Sequence, residues 1–245
     1  MPALRSYWTL SRAPRYSVTF ALPLLIAYEA LAAFLSRFAG EQMRNGADVI
    51  LRSLFIAAAG RRGPLVFAVC VIGVSIWFIA RDMRRGGGRL EPRIFGGMLA
   101  ESVGLALVFG LVIGTITAKL LTPFSFALAL AQPERLSVAA RVMLSLGAGL
   151  YEELLFRVLL VSALLLLARR VMRWRPAIAN TFAVGMGALI FSAFHYIGPY
   201  GDPLRLDSFV FRTIAGLAFS ALYVFRGFGI TAWTHALYDV IVLVL

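Results

Sequence analysis

Seven apolar runs, each close to the length of a membrane-spanning helix, constrain the fold of this chain more than any other feature. A helix needs about 20 apolar residues to cross roughly 30 Å of hydrocarbon. Only 15% of the 245 residues are charged, against roughly 25% in soluble domains. The pattern predicts an all-helical, multi-pass integral membrane protein whose partner is the lipid bilayer. The predicted spans lie near residues 17–36, 64–80, 94–118, 138–168, 177–197, 208–225 and 229–245.

An eighth hydrophobic stretch, residues 48–60, is shorter and is interrupted by Arg52. Its length favours an interfacial or re-entrant helix over a full span. Glycine and proline mark the joints between the runs, and no internal repeat divides the chain. We therefore predict one membrane domain over residues 1–245, with N-terminal spans in residues 1–137 and a core in residues 138–245.

The charge distribution predicts topology rather than nucleic-acid binding. The formal net charge is +12, but Lys119 is the only lysine among 24 basic residues, and the arginines fall in the gaps between apolar runs. Such clusters are typical of cytoplasmic loops and not of a phosphate-binding face, so no nucleic-acid partner is expected. A cytoplasmic N-terminus puts most of them inside, although arginines also occur between residues 37 and 62 of the first outer loop. The expected inner arginines are Arg5, Arg12, Arg15, Arg81, Arg84, Arg85, Arg89, Arg93, Arg169, Arg170, Arg173, Arg175 and Arg226.

The single cysteine, Cys70, lies inside an apolar run. A lone cysteine excludes an intrachain disulfide and a zinc site built from cysteines. We expect it to be a small buried core residue, the usual state of a free cysteine.

Ionisable side chains inside the spans are the first candidates for function, because a charge near the bilayer centre costs several kcal/mol. Both histidines of the chain are among them, and histidine can act as acid, base or metal ligand near neutral pH. Two other acidic residues, Glu29 and Glu101, have no partner at helical spacing and are interpreted as structural. The candidate site residues are Glu152, Glu153, Arg157, His195, His235 and Asp239.

Helical spacing relates these candidates to one another. Glu153 and Arg157 are four residues apart, so they share a face and can form an ion pair that orients the glutamate. Glu152 is rotated by about 100° from Glu153 and can face a different neighbour. His235 and Asp239 are also four apart and present an imidazole and a carboxyl group on one stripe.

Two glycines, Gly147 and Gly149, precede the paired glutamates by about one turn. Small residues allow the backbones of membrane helices to approach closely. We expect another helix to pack against this part of the chain.

Three motifs resemble those of the CPBP family, which comprises type II CAAX prenyl proteases and bacteriocin-processing or immunity proteins. The first is EExxxR, with Glu152, Glu153 and Arg157. The second is FxxxH, ending at His195, and the third is HxxxD, from His235 to Asp239. All three occur in the family's order on separate predicted spans, and the resemblance covers about residues 138–245.

The resemblance implies intramembrane proteolysis of a membrane-associated or lipidated peptide or protein, with the catalytic core in the last four spans. It assigns Glu152 and His195 to the activation of water, and His235 and Asp239 to stabilisation of the oxyanion. Glu153 and Arg157 become supporting partners. The site can operate without a cofactor, or Glu152, His195, His235 and Asp239 can hold zinc with an open water position.

Two other functions fit the same residues. A proton-coupled transporter also places Glu, His and Asp at membrane depth, although no repeated half with broken helices is evident. A non-catalytic immunity or binding protein could use the same scaffold. Intact Glu152, His195 and His235 favour the protease.

The predicted spans raise one geometric difficulty. They place His195 near the outer end of the fifth span and His235 near the inner end of the seventh, although both spans run in the same direction. The two histidines are therefore expected to be far apart unless the span boundaries shift or the helices tilt strongly.

Overall fold

The computed structural model describes residues 2–38, 43–86, 89–121, 136–198 and 201–244. Within these ranges the regular structure is entirely helical, with no β-strand. The all-helical prediction is therefore confirmed.

The five N-terminal helices precede the predicted core. They are α1 (Pro2–Leu10), α2 (Pro14–Phe38), α3 (Gly46–Ala59), α4 (Gly63–Gly86) and α5 (Pro92–Leu121).

The core begins with one continuous helix, α6, over residues 138–171. Val138–Gly147 is α-helical, and Ala148–Val161 has π-type hydrogen bonding. Ser162–Leu166 is α-helical again before a second π segment, Leu167–Val171. The remaining helices are α7 (Pro176–Phe194), α8 (Leu206–Arg226) and α9 (Phe228–Val244).

All seven predicted spans are helical, but only five stretches of the described residues are long and apolar enough to cross a membrane. The stretch at 138–168 differs because it carries four charged side chains. The last helix differs because its apolar part, Phe228–Leu243, is short. The five candidates are Pro14–Phe38, Gly46–Arg85, Pro92–Ile116, Pro176–Phe194 and Leu206–Arg226.

The short stretch predicted at 48–60 is helix α3, which packs against α4. Its 14 residues would extend only about 21 Å at 1.5 Å per residue, less than the hydrocarbon thickness. Gly60 has a φ of 56° and closes the helix, and a side chain at Gly63 would overlap the backbone of Ile56. The interfacial or re-entrant placement of α3 stays a prediction.

The surfaces of α4 and α5 are apolar over much of their length. Leu65 and Val69 on α4 are more than half exposed, as are Leu107 and Leu111 on α5. A broad exposed apolar surface is typical of contact with lipid rather than water, which fits the integral membrane prediction. The interpretation of Cys70 as a buried core residue is wrong, because the thiol lies on the exposed part of α4.

The short helix α1 is bound by polar contacts to α5 and to the last residue of α8. The Tyr7 hydroxyl donates a hydrogen bond to Glu101 at 2.6 Å, and Arg226 forms an ion pair with the same carboxylate. Burial, together with the neighbouring Glu101 carboxylate, raises the pKa of Tyr7 above its usual range. These contacts agree with a structural role for Glu101.

Helix α6 packs against α2, α7 and α9, and its glycines allow the closest approaches. A Cβ atom at Gly147 would overlap the Tyr28 ring, and one at Gly149 would overlap the α9 backbone at Ala232 and Ala236. The predicted close helix packing at these glycines is confirmed. It brings α9 directly against the segment that carries the paired glutamates.

Candidate active site

The six predicted site residues lie on three helices that meet around the π-type segment of α6. This segment carries Glu152, Glu153 and Arg157, while His195 directly follows the last residue of α7. His235 and Asp239 lie on α9. Because α6 packs against both α7 and α9, it connects the two histidines.

Glu153 is the most buried member of the site and contacts two partners. Its Oε1 lies 2.7 Å from His235 Nδ1 and 3.2 Å from an Arg157 guanidinium nitrogen. The exposed fractions are 0% for Glu153 and 1% for Arg157, so the ion pair predicted from the four-residue spacing forms out of contact with solvent. Because an ionised carboxylate only accepts hydrogen bonds, His235 presents its Nδ1 proton to Glu153.

Glu152 faces a different set of neighbours, as the rotation between adjacent residues predicts. Its Oε1 accepts a hydrogen bond of 2.9 Å from the side-chain amide of Asn45. The carboxylate interacts electrostatically with both His195 and His235. Glu152 is therefore the site residue that interacts with both histidines.

His195 is oriented by its own helix. Its Nδ1 lies 2.9 Å from the carbonyl oxygen of Phe191, and a carbonyl can only accept, so Nδ1 carries the proton in this bond. In the neutral ring Nε2 is then unprotonated and can accept a hydrogen bond or a proton. The Phe191 ring lies edge-on to the imidazole, with 4.9 Å between centroids.

Asp239 lies at the edge of the group. Its Oδ2 is 3.6 Å from His235 Nε2, which is beyond hydrogen-bond distance but close enough for an electrostatic interaction. The predicted stripe of His235 and Asp239 is thus present, with the carboxyl group beside the second nitrogen of the imidazole.

Aromatic rings enclose the charged groups. Phe219 on α8 stacks on the His235 imidazole with 4.3 Å between centroids. The Arg157 guanidinium lies 4.4 Å from the centre of the Phe191 ring, in a cation–π arrangement. The site therefore combines fixed charges with apolar walls that limit access of water.

The expectation that the histidines lie far apart is wrong. His235 occupies the middle of α9, which begins at Phe228, rather than its inner end. His195 is at the very end of α7, and both rings lie close enough to interact with Glu152. The last helix begins within one residue of the predicted boundary at 229, so a shift of the span boundaries does not explain the difference.

The zinc alternative would need Glu152, His195, His235 and Asp239 to converge on one point. Among the described residues, no group of three or more His, Cys, Asp or Glu side chains is arranged to hold a metal ion. His195 Nδ1 contacts a backbone carbonyl and His235 Nδ1 contacts Glu153. Histidine ligands of a metal make the same kind of contact through the nitrogen that does not bind the metal.

Sequence reasoning missed Asn45, which lies far along the chain from Glu152. The only local signal is its position directly before α3, where its side chain caps the helix. The sequence predicts a structural role for Glu29, because it has no partner at helical spacing. Its partners come instead from other elements: it forms ion pairs with Arg44 and Arg52 and accepts a hydrogen bond from Tyr151.

One comparison with known proteins gives a match. Residues 134–241 match the family described as type II CAAX prenyl endopeptidase Rce1-like. Comparisons with curated proteins and with solved structures gave no match. The matched range contains all three motifs and nearly coincides with the core predicted at 138–245. The family resemblance is confirmed, since residues 134–241 of this membrane protein match the type II CAAX prenyl endopeptidase Rce1-like family.

Proposed function

We propose that this protein is an intramembrane endopeptidase that hydrolyses a peptide bond in a membrane-associated peptide or protein. The observation that carries the proposal is the position of Glu152. It is nearly buried, it is held by a hydrogen bond from Asn45, and it interacts with both His195 and His235. A carboxylate that is held in place next to imidazole groups is suited to act as a general base toward a bound water.

Water activation is assigned to Glu152 and His195. Glu152 accepts a proton from the attacking water, while the unprotonated Nε2 of His195 accepts the water's second hydrogen as a hydrogen bond. The water oxygen then forms a bond to the scissile carbonyl carbon, and the carbonyl electron pair moves to its oxygen. Holding base and water in one geometry removes much of the entropic part of the barrier.

Stabilisation of the resulting oxyanion is assigned to His235 and Asp239. A doubly protonated His235 donates through Nδ1 to Glu153 and offers Nε2–H to the oxyanion. Asp239 can donate only if it is protonated, and otherwise it orients the imidazole. When the intermediate collapses, the carbonyl re-forms, the carbon–nitrogen bond breaks and the leaving amine takes the proton held by Glu152.

Glu153 and Arg157 serve as supporting partners in this scheme. Glu153 fixes the orientation of the His235 ring through the 2.7 Å contact, and Arg157 compensates its charge. An imidazole held by a carboxylate keeps one tautomer and one orientation, which is the role of the third residue in other hydrolytic sites.

The proposed substrate is a protein or peptide held in or at the membrane. The domain family favours a prenylated CAAX tail as the first candidate, and a leader peptide or the anchor of another membrane protein would suit the same chemistry. The exposed apolar surfaces of α4 and α5 place the protein in the bilayer where such substrates are found.

The test compares membranes from cells that express the wild-type protein or Glu152→Gln, using quantitative mass spectrometry of membrane-associated peptides. We expect new peptide termini that depend on the wild-type protein and are absent with Glu152→Gln. Glu91→Gln is the matched control, because Glu91 lies outside the site and pairs with the exposed Arg93. Identical peptide termini in the wild-type and Glu152→Gln membranes would remove Glu152 from its proposed role.

A further inference from the structure

We propose that Asn45 is a positioning residue that holds the Glu152 carboxylate for water activation. This inference rests on the proposed function, since it explains how that same base is oriented. Asn45 lies between α2 and α3, outside the range that matches the protease family. The N-terminal part of the chain would thereby contribute directly to the chemistry of the core.

Both polar atoms of the Asn45 side-chain amide form hydrogen bonds. Its Oδ1 accepts a hydrogen bond of 2.9 Å from the backbone N–H of Ala47 and so caps α3. Its Nδ2 donates at 2.9 Å to Glu152 Oε1. The amide of asparagine offers an acceptor oxygen and a donor nitrogen that point in different directions.

As a consequence, the two carboxylate oxygens of Glu152 have different roles. Oε1 is occupied by Asn45, which leaves Oε2 to accept the proton of the attacking water. A hydrogen bond donated to a carboxylate also favours its charged form, and the charged form is the one that acts as a base. Asn45 thus fixes the orientation of Glu152 and supports its ionisation.

Asn45 is itself held in place by α2. Its backbone N–H donates to the Tyr28 hydroxyl at 3.1 Å, and this hydroxyl donates to Asp48 Oδ2 at 2.9 Å. Asp48 is completely buried and forms ion pairs with Arg44 and Arg52. A buried network in which each member has partners gives the amide a single position.

The network of ion pairs around Asp48 also contacts α6, the helix that carries Glu152. Tyr151, adjacent to Glu152 in the chain, donates a hydrogen bond of 3.0 Å to Glu29, which pairs with Arg44 and Arg52. At Gly147 a Cβ atom would come within 2.8 Å of the Asn45 Cβ, so the glycine permits the approach. The Tyr151–Glu29 hydrogen bond and the close approach at Gly147 both bring this part of α6 next to the segment that carries Asn45.

The substitution Asn45→Ser separates the two uses of the side chain. Serine is a good helix N-cap but offers no amide to Glu152. In proteoliposomes with a farnesylated CAAX-terminated peptide as probe, we expect kcat to fall roughly 10- to 100-fold, with KM changed less than about twofold. The thermal midpoint should stay close to that of the wild type. Asn180→Ser, at an exposed position of α7, is the matched control and should behave as wild type.

A second measurement does not depend on turnover. Dicyclohexylcarbodiimide reacts with protonated carboxyl groups in apolar surroundings, and its adduct on Glu152 can be quantified by mass spectrometry. We expect faster labelling of Glu152 in Asn45→Ser than in the wild type or in Asn180→Ser. Glu152→Gln provides the blank.

The two measurements separate failure of the inference from failure of the proposed function. If wild-type protein and Glu152→Gln cleave the probe and membrane peptides equally, the protease proposal fails, while the labelling comparison still tests the contact between Asn45 and Glu152. Equal labelling in Asn45→Ser and wild type would overturn the positioning role, as would an unchanged kcat in an active preparation.

Discussion

At the scale of single residues, the two adjacent glutamates have different surroundings and therefore different predicted mutant behaviour. Glu152→Gln keeps a side-chain oxygen that can accept from Asn45, so we expect a folded protein without turnover. Glu153→Gln removes the carboxylate that contacts both His235 and the buried Arg157. Removing one partner of a buried pair typically costs about 3–5 kcal/mol.

The comparison is made by thermal unfolding in detergent together with cleavage assays on the same preparations. We expect a clear drop in the unfolding midpoint for Glu153→Gln and little change for Glu152→Gln. An equal drop for both variants would contradict the separate roles assigned to the two glutamates.

Asp239 distinguishes a metal-free site from a metal site. We expect Asp239→Asn to retain substantial activity that is insensitive to chelator, because the amide supplies the donor that a protonated Asp would offer to the oxyanion. Loss of activity in this variant, together with loss of wild-type activity on chelation and its recovery with added zinc, would contradict the metal-free mechanism.

The spacing of residues along the sequence was enough to predict contacts between side chains of the same helix. The ion pair of Glu153 with Arg157 and the proximity of His235 to Asp239 both follow from a separation of four residues. The hydrogen bond from Asn45 to Glu152 could not be predicted this way, because it joins positions 107 residues apart. It exists only through the packing of α2 and α3 against α6.

At the scale of helices, the contact between α6 and α9 determines whether His235 reaches Glu153. A methyl group at Gly149 would overlap Ala232 and Ala236 on α9. We expect Gly149→Ala to push the helices apart, to destabilise the protein by about 1–3 kcal/mol and to lower activity because the Glu153–His235 contact lengthens.

Gly104→Ala on α5 is the control for this substitution, since nothing lies within 4 Å of the added Cβ atom. Alanine is favoured over glycine in a helix by up to about 1 kcal/mol, so this variant should be neutral or slightly more stable. Equal stability and activity of Gly149→Ala and Gly104→Ala would show that close packing of α6 on α9 is not required.

Apolar runs predicted the helices well because a span must be both long and hydrophobic. The same reasoning did not predict the π-type hydrogen bonding of Ala148–Val161, since the hydrophobicity of these 14 residues does not distinguish a π-type segment from an α-helix. It also did not predict that α3 would supply a cap residue that contacts the site, because that contact depends on the turn preceding α3 and not on the helix itself.

At the scale of the whole molecule, the charged network of Glu29, Arg44, Asp48 and Arg52 is joined to the core by the hydrogen bond from Tyr151 to Glu29. The division at residue 137 into N-terminal spans and catalytic core stays a prediction, as does the cytoplasmic N-terminus. Because Asn45 contacts Glu152 and Tyr151 contacts Glu29, we infer that the N-terminal spans and the core act together. The three motifs alone could not predict this, because all of them lie in the C-terminal part of the sequence.

The most direct test of the central claim is hydrolysis by purified protein in a bilayer. Wild type and Glu152→Gln, reconstituted in proteoliposomes with a farnesylated CAAX-terminated peptide and a membrane-anchored leader peptide, are incubated in heavy-oxygen water. The products are analysed by mass spectrometry. We predict a cleaved peptide whose new carboxyl terminus carries one heavy oxygen with wild type only. Intact peptides in the wild-type sample, or the same labelled product with Glu152→Gln, would contradict a water-activating role for Glu152.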